Sequence, residues 1–119
     1  MKKKVLAGIL TAAMTMSVFG SVCAFAESET PTIAFVPKVT GQAWWDHVQE
    51  NVEEWAADEG IDVIYKGPTD TDAAAQVQIM TDLVNQGVDI LCFSPNDPDA
   101  CEEICKEAME KGIVVIATE

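Results

Sequence analysis

Lys38, Trp44 and Trp45 fall close together in the stretch Thr32-Ile33-Ala34-Phe35-Val36-Pro37-Lys38-Val39-Thr40-Gly41-Gln42-Ala43-Trp44-Trp45. An ammonium group can donate hydrogen bonds to hydroxyls. Aromatic faces can stack on the apolar C–H face of a small polar ring, using burial and shape rather than charge. Further along, Asn96 and Asp97 offer an amide and a carboxylate that can hold hydroxyls, and Glu119 adds a second carboxylate. Each has a plainer reading. Lys38 fits a solvated lysine. Trp45 shares a helical face with Val48, Val52 and Trp55, which is core spacing. Asp97 immediately precedes Pro98, the pattern of a helix cap followed by proline at the first helical position.

Catalytic patterns are missing. The sequence has no GxGxxG, no phosphate loop and no GxSxG, so no cofactor is expected. His47 is the single histidine, set on the polar flank of a helix with no cysteine or serine placed beside it. The acidic residues are many but scattered over helix faces, as solvating residues are. The expectation is a binding protein rather than an enzyme. The competing expectation, a small exported α/β enzyme acting on a sugar-like substrate, would have to draw its base or nucleophile from Lys38, Asp97 or Glu119.

The elements that must position these residues follow a strand-then-helix rhythm. Thr32 to Val36 is a short apolar run that Pro37 ends, because proline has no N–H for a sheet ladder. A helix over Gln42 to Glu59 turns Trp45, Val48, Val52, Trp55 and Ala56 toward a core and stops at Gly60. A second strand, Ile61 to Tyr65, is closed by Gly67-Pro68. Asp70, Thr71 and Asp72 can then cap a second helix whose core face is Ala73, Val77, Met80, Leu83 and Val84. Val88 to Phe93 is the third strand. A third helix turns Cys101, Ile104, Cys105, Ala108 and Met109 inward, and Ile113 to Ala117 is the fourth strand. Helix, glycine and strand follow one another three times, at Gly60-Ile61, Gly87-Val88 and Gly112-Ile113. Successive crossovers of this kind predict an α/β fold with a doubly wound parallel sheet. Strands three and four, near-continuously apolar, are expected to be buried on both faces. In such a sheet the loops at the carboxyl ends gather along one edge. This edge collects Lys38 to Gln42, Gly67 to Asp70, Ser94 to Asp97, and Thr118-Glu119.

Composition bounds the partners. At 49% hydrophobic and 23% charged, the chain has the makeup of a folded domain rather than a disordered one. Residues 1–26 read as an export signal. Lys2, Lys3 and Lys4 precede the apolar stretch Val5 to Phe19, and Ala24-Phe25-Ala26 forms an A-x-A cleavage site. That stretch is shorter than the roughly 20 apolar residues a membrane-spanning helix needs. Cys23 is an alternative site for a lipid anchor, although Val22 is larger than the residue such sites favour. Without the signal, four lysines and no arginine face twenty acids, a net charge of about −16. Phosphate backbones are gripped by clustered lysine and arginine, so the balance argues against nucleic acid and against an anionic membrane surface. Cys92, Cys101 and Cys105 are an odd set for a disulfide framework and are read as free thiols.

Taken together, these residues resemble the sugar-type periplasmic binding proteins of ABC transporters, and within them the branch that binds autoinducer-2 and rhamnose. The matching segments are Ile33 to Lys38 with Thr40-Gly41 and the aromatic pair, and Gly67-Pro68-Thr69 with Gln76-Val77-Gln78. They continue through Asn85-Gln86-Gly87-Val88-Asp89 and Ser94-Pro95-Asn96-Asp97-Pro98. The resemblance implies a two-lobed protein that closes on a small sugar or polyol and delivers it to a membrane permease. It implies that Lys38 contacts ligand hydroxyls and that Trp44 and Trp45 stand where phenylalanines wall the pocket. Glu119 falls where the family has a ligand-binding aspartate, and the larger side chains here put the pocket's size and preferred ligand in question. Members of the family are more than twice as long, so residues 27–119 are read as the incomplete N-terminal lobe of such a protein. The exported protein is expected to begin at Glu27, which N-terminal sequencing and intact mass will check. A lipid mass on Cys23 would replace that reading with an anchored one.

Overall fold

The computed structural model describes residues 30–119. The proposed export signal and Cys23 lie outside the described residues. Strand and helix alternate as β1 (Thr32–Val36), α1 (Ala43–Glu59), β2 (Asp62–Tyr65), α2 (Ala73–Gln86), β3 (Ile90–Phe93), α3 (Pro98–Glu110) and β4 (Val114–Ala117). The helix boundaries have local causes. Asp72 accepts hydrogen bonds from the backbone N–H groups of Ala74 (2.9 Å) and Ala75 (3.1 Å), capping α2. Asp97 accepts one from Asp99 N–H (3.0 Å), with Pro98 opening α3. Gly60 and Gly87 close α1 and α2 at φ of 67° and 80°, left-handed values that glycine adopts without a Cβ clash.

All four strands are parallel, in the order β2-β1-β3-β4. The first crossover moves from β1 to one side. The second returns past β1 to the other side, and the third continues in that direction. Right-handed crossovers therefore place α1 on one face and α2 and α3 on the opposite face. The expected doubly wound sheet is what forms. The main core lies on the α2–α3 face, where Ala34, Val36, Leu91 and Phe93 of the sheet join Met80, Leu83 and Val84 of α2 and Cys101, Ile104 and Ala108 of α3. At about 25 cal/mol per Å² of apolar area removed from water, this face dominates the stability.

The other face is less covered than its sequence suggests. Of the apolar residues on α1, only Ala56 is buried. Trp45, Val48 and Val52 are half-buried, and Trp55 is 49% exposed. α1 lies over β2, and the smallest residue makes the close contact while Trp55 is left on the flank. Strand β4, expected to be buried on both faces, exposes Val114 (55%) and Ile116 (46%), because it is an edge strand and α3 covers only one of its faces. Met109, expected inside, is 56% exposed at the end of α3. Cys92, Cys101 and Cys105 are free thiols, and burial pushes all three up from the ordinary cysteine range.

Gly67 marks a close approach of the loops after β1 and β2. A Cβ there would stand 2.6 Å from Cγ and 2.9 Å from Cδ of Pro37, a buried ring. Gly67→Ala is expected to destabilise the fold by about 1–3 kcal/mol through overpacking. The urea midpoint reads this directly, and an unchanged midpoint would show that the two loops can part freely.

Candidate functional site

Val36 and Phe93 are paired in register, so β1 and β3 end side by side and their loops leave the sheet as neighbours. The strand order reverses between these two strands, which is where open α/β sheets form a crevice. A buried side chain joins the loops there. Gln76, in the first turn of α2, has no exposed surface. Its Nε2 donates to the carbonyls of Pro37 (3.0 Å) and Ser94 (2.7 Å), and its Oε1 accepts from the backbone N–H of Asn96 (2.8 Å). Asn96 Nδ2 in turn donates to the carbonyl of Lys38 (2.7 Å).

Further bonds extend the platform. Both the backbone N–H and the hydroxyl of Thr40 donate to the carbonyl of Pro68, at 2.8 and 3.1 Å. Thr118 does the same to the carbonyl of Phe93, at 2.8 and 3.3 Å. Four loops at the carboxyl edge are thus tied by polar contacts. Ser94 Oγ is the exception, a buried hydroxyl without a partner among the described residues.

The residues singled out from the sequence fall along this edge in different states. Lys38 is half-buried, and its Nζ has no hydrogen-bond or ion-pair partner among the described residues. Asn96 is also half-buried, but one of its amide hydrogens is committed to Lys38, so only Oδ1 and the other N–H can meet a ligand. Trp44 stands 71% exposed in the first turn of α1. Trp45 is half-buried, and its carbonyl accepts a hydrogen bond from Tyr65 Oη (2.9 Å). Glu119 is exposed beyond the end of β4. Asp97 is spent on capping α3. A shallow groove of about 300 Å³ opens between Gly67, Pro68, Asp70, Asp72 and Ile79, and none of Lys38, Trp44, Trp45, Asn96, Asp97 and Glu119 lines it. His47 is exposed and lies 3.8 Å from Glu50. Among the described residues no group of histidine, cysteine and carboxylate is placed to hold a metal.

Gln76 was legible only indirectly. It shares the helical face of Met80, Leu83 and Val84, and a polar residue at a core position must be hydrogen-bonded when buried. Its partners, far away in sequence, could not be read from that spacing.

An open parallel sheet with helices on both faces and hydrogen-bonded loops at its switch point is the architecture of a doubly wound α/β lobe. The chain belongs to the periplasmic binding protein domain family, whose profile matches residues 33–119. This is a family of binding proteins, not enzymes, and the enzyme reading falls with it. Among solved structures, the chain is similar to LsrB from Clostridium saccharobutylicum in complex with AI-2, at 29% identity and a TM-score of 0.71 over 72% of this chain and 26% of that one. It is similar also to an ABC transporter solute-binding protein from Burkholderia graminis in complex with D-arabinose, at 28% identity and a TM-score of 0.71 over 78% and 32% of the two chains. A third is the solute-binding protein from Agrobacterium vitis bound with α-D-tagatopyranose, at 25% identity and a TM-score of 0.70 over 74% and 30%. The chain spans about a quarter to a third of the length of these relatives.

Tyr65 ties the end of β2 to the first turn of α1 through its hydrogen bond to the Trp45 carbonyl. Its ring stacks on Phe35, with centroids 5.3 Å apart and planes 5° off parallel. Burial first, then the carboxylates of Asp46 and Glu53, push its hydroxyl up to about 12 from the ordinary value of 10. A folded-state value above the unfolded one means that the neutral phenol contributes stability below about pH 10, which is lost as pH rises toward 12. Tyr65 is the single tyrosine, so absorbance at the phenolate band is expected to titrate with a midpoint near 12 when folded and near 10 in denaturant. A folded midpoint near 10 would mean that the hydroxyl is not held in this half-buried position beside Asp46 and Glu53.

Proposed function

We propose that this chain is the ligand-binding N-terminal lobe of an exported solute-binding protein that captures a small uncharged sugar or polyol, or autoinducer-2, for an ABC permease. The observation that carries this reading is the half-buried Lys38, whose Nζ has no partner among the described residues, beside Asn96 at the switch point. Lys38 and Asn96 donate to ligand hydroxyls. Trp44 and Trp45 offer the apolar faces, and Glu119 accepts from a hydroxyl at the far end of the edge. The three relatives described above, with AI-2, D-arabinose and tagatopyranose bound, support a polyhydroxylated ligand. The strongly acidic surface favours a neutral ligand over an anion. Export by residues 1–26 places the protein in the periplasm or at the outer face of the cell envelope, with a lipid on Cys23 as the alternative form. The autoinducer-2 and rhamnose branch rests on the segments from Ile33 to Lys38 and from Ser94 to Pro98.

Half a crevice holds a ligand poorly. Residues 27–119 alone are expected to bind sugars weakly or not at all by calorimetry, and micromolar affinity would overturn the two-lobed reading. In the protein as its own cells make it, Lys38→Ala is expected to weaken binding of D-arabinose, D-tagatose or autoinducer-2, whichever binds, by about 10- to 100-fold, the worth of a hydrogen bond from a charged donor. Unchanged affinity would remove Lys38 from the site.

A further inference from the structure

We infer that Gln76 is a positioning residue for ligand capture, setting the separation of the Lys38 loop from the Asn96 loop without touching the ligand. The inference rests on the reading of these loops as the ligand side. Gln76 has no exposed surface, so it cannot reach a ligand in the crevice. All three of its hydrogen bonds end on main-chain atoms at or beside candidate residues. They are the carbonyl preceding Lys38, the carbonyl of Ser94 at the mouth of β3, and the N–H of Asn96 itself. The bond from Asn96 Nδ2 to the Lys38 carbonyl closes a ring that passes through both loops.

The clip has a rigid base. Gln76 lies one turn from the Asp72 cap and shares its face with Met80 and Leu83, both fully buried in the core. Wherever the core seats α2, the amide carries that position to the two loops. The chemistry is specific to an amide at this reach. Two carbonyls need donors and one N–H needs an acceptor. An ionised glutamate supplies no donor, and methionine supplies neither.

Two measurements on the protein as its own cells make it decide the inference. In the parent protein, the backbone N–H of Asn96 is expected to exchange with solvent as slowly as that of Met80 in the middle of α2. Fast exchange at Asn96 would overturn the clip without any variant being made. Gln76→Met and the closer mimic Gln76→Glu are then compared with Leu83→Ala, which loosens the same core but touches neither loop. D-arabinose, D-tagatose and autoinducer-2 serve as probes, well below every unfolding midpoint. A positioning role predicts at least a tenfold loss of affinity for the Gln76 variants and little change for Leu83→Ala. Equal losses in all three variants, or no loss in the Gln76 variants, would overturn it. If the parent protein binds none of the probes, the functional reading fails, and the exchange of Asn96 alone judges the clip.

Discussion

A buried amide must find partners for all its polar atoms, and the carboxyl edge of this sheet is built around that requirement. Gln76 enters the core as part of an otherwise apolar helix face and would carry a large desolvation cost if left unpaired. The carbonyls of Pro37 and Ser94 and the N–H of Asn96 meet it because β1 and β3 end side by side. Those three groups would otherwise be orphans of their own, lying just past the last ladder bonds of their strands. The same contacts that complete the polar interior therefore hold the loops at the switch point. Stability and site geometry are one problem here.

Around this clip the structure is uneven. The face under α2 and α3 is closed and apolar, while the face under α1 is covered mainly over β2. The aromatic residues follow that division. Phe35 and Tyr65 stack beneath the beginning of α1 and leave Trp45 half-buried, whereas Trp44 and Trp55 stand in solvent.

Much of this was written plainly in the sequence. The repeated glycine between helix and strand, Pro37 after β1 and the Asp97-Pro98 cap identify every element to within a residue or two. The apolar runs announce a parallel sheet. Coverage is what the pattern conceals. Trp55 and Met109 satisfy helical spacing, but spacing states which side of a helix is apolar, not whether anything lies against it. Strand β4 reads like β3 because both are apolar, yet only β3 has neighbours on both sides. The candidate site was legible as a set of loops. Asn96 was visible as a polar residue at the edge, but the direction of its amide depends on the Lys38 carbonyl, far away along the chain. Gln76 was hidden for the same reason.

The central place of β1 has a kinetic consequence. β1 is the first strand among the described residues, yet it pairs with β2 on one side and, from Ile33 to Ile90, with β3 on the other. Its hydrogen bonds cannot be completed until the chain has been made as far as Phe93. Closing such distant pairings makes parallel sheets slow to form. β1 therefore waits for β3, and the loops beside it come together late, when β3 docks and carries Ser94 and Asn96 into place.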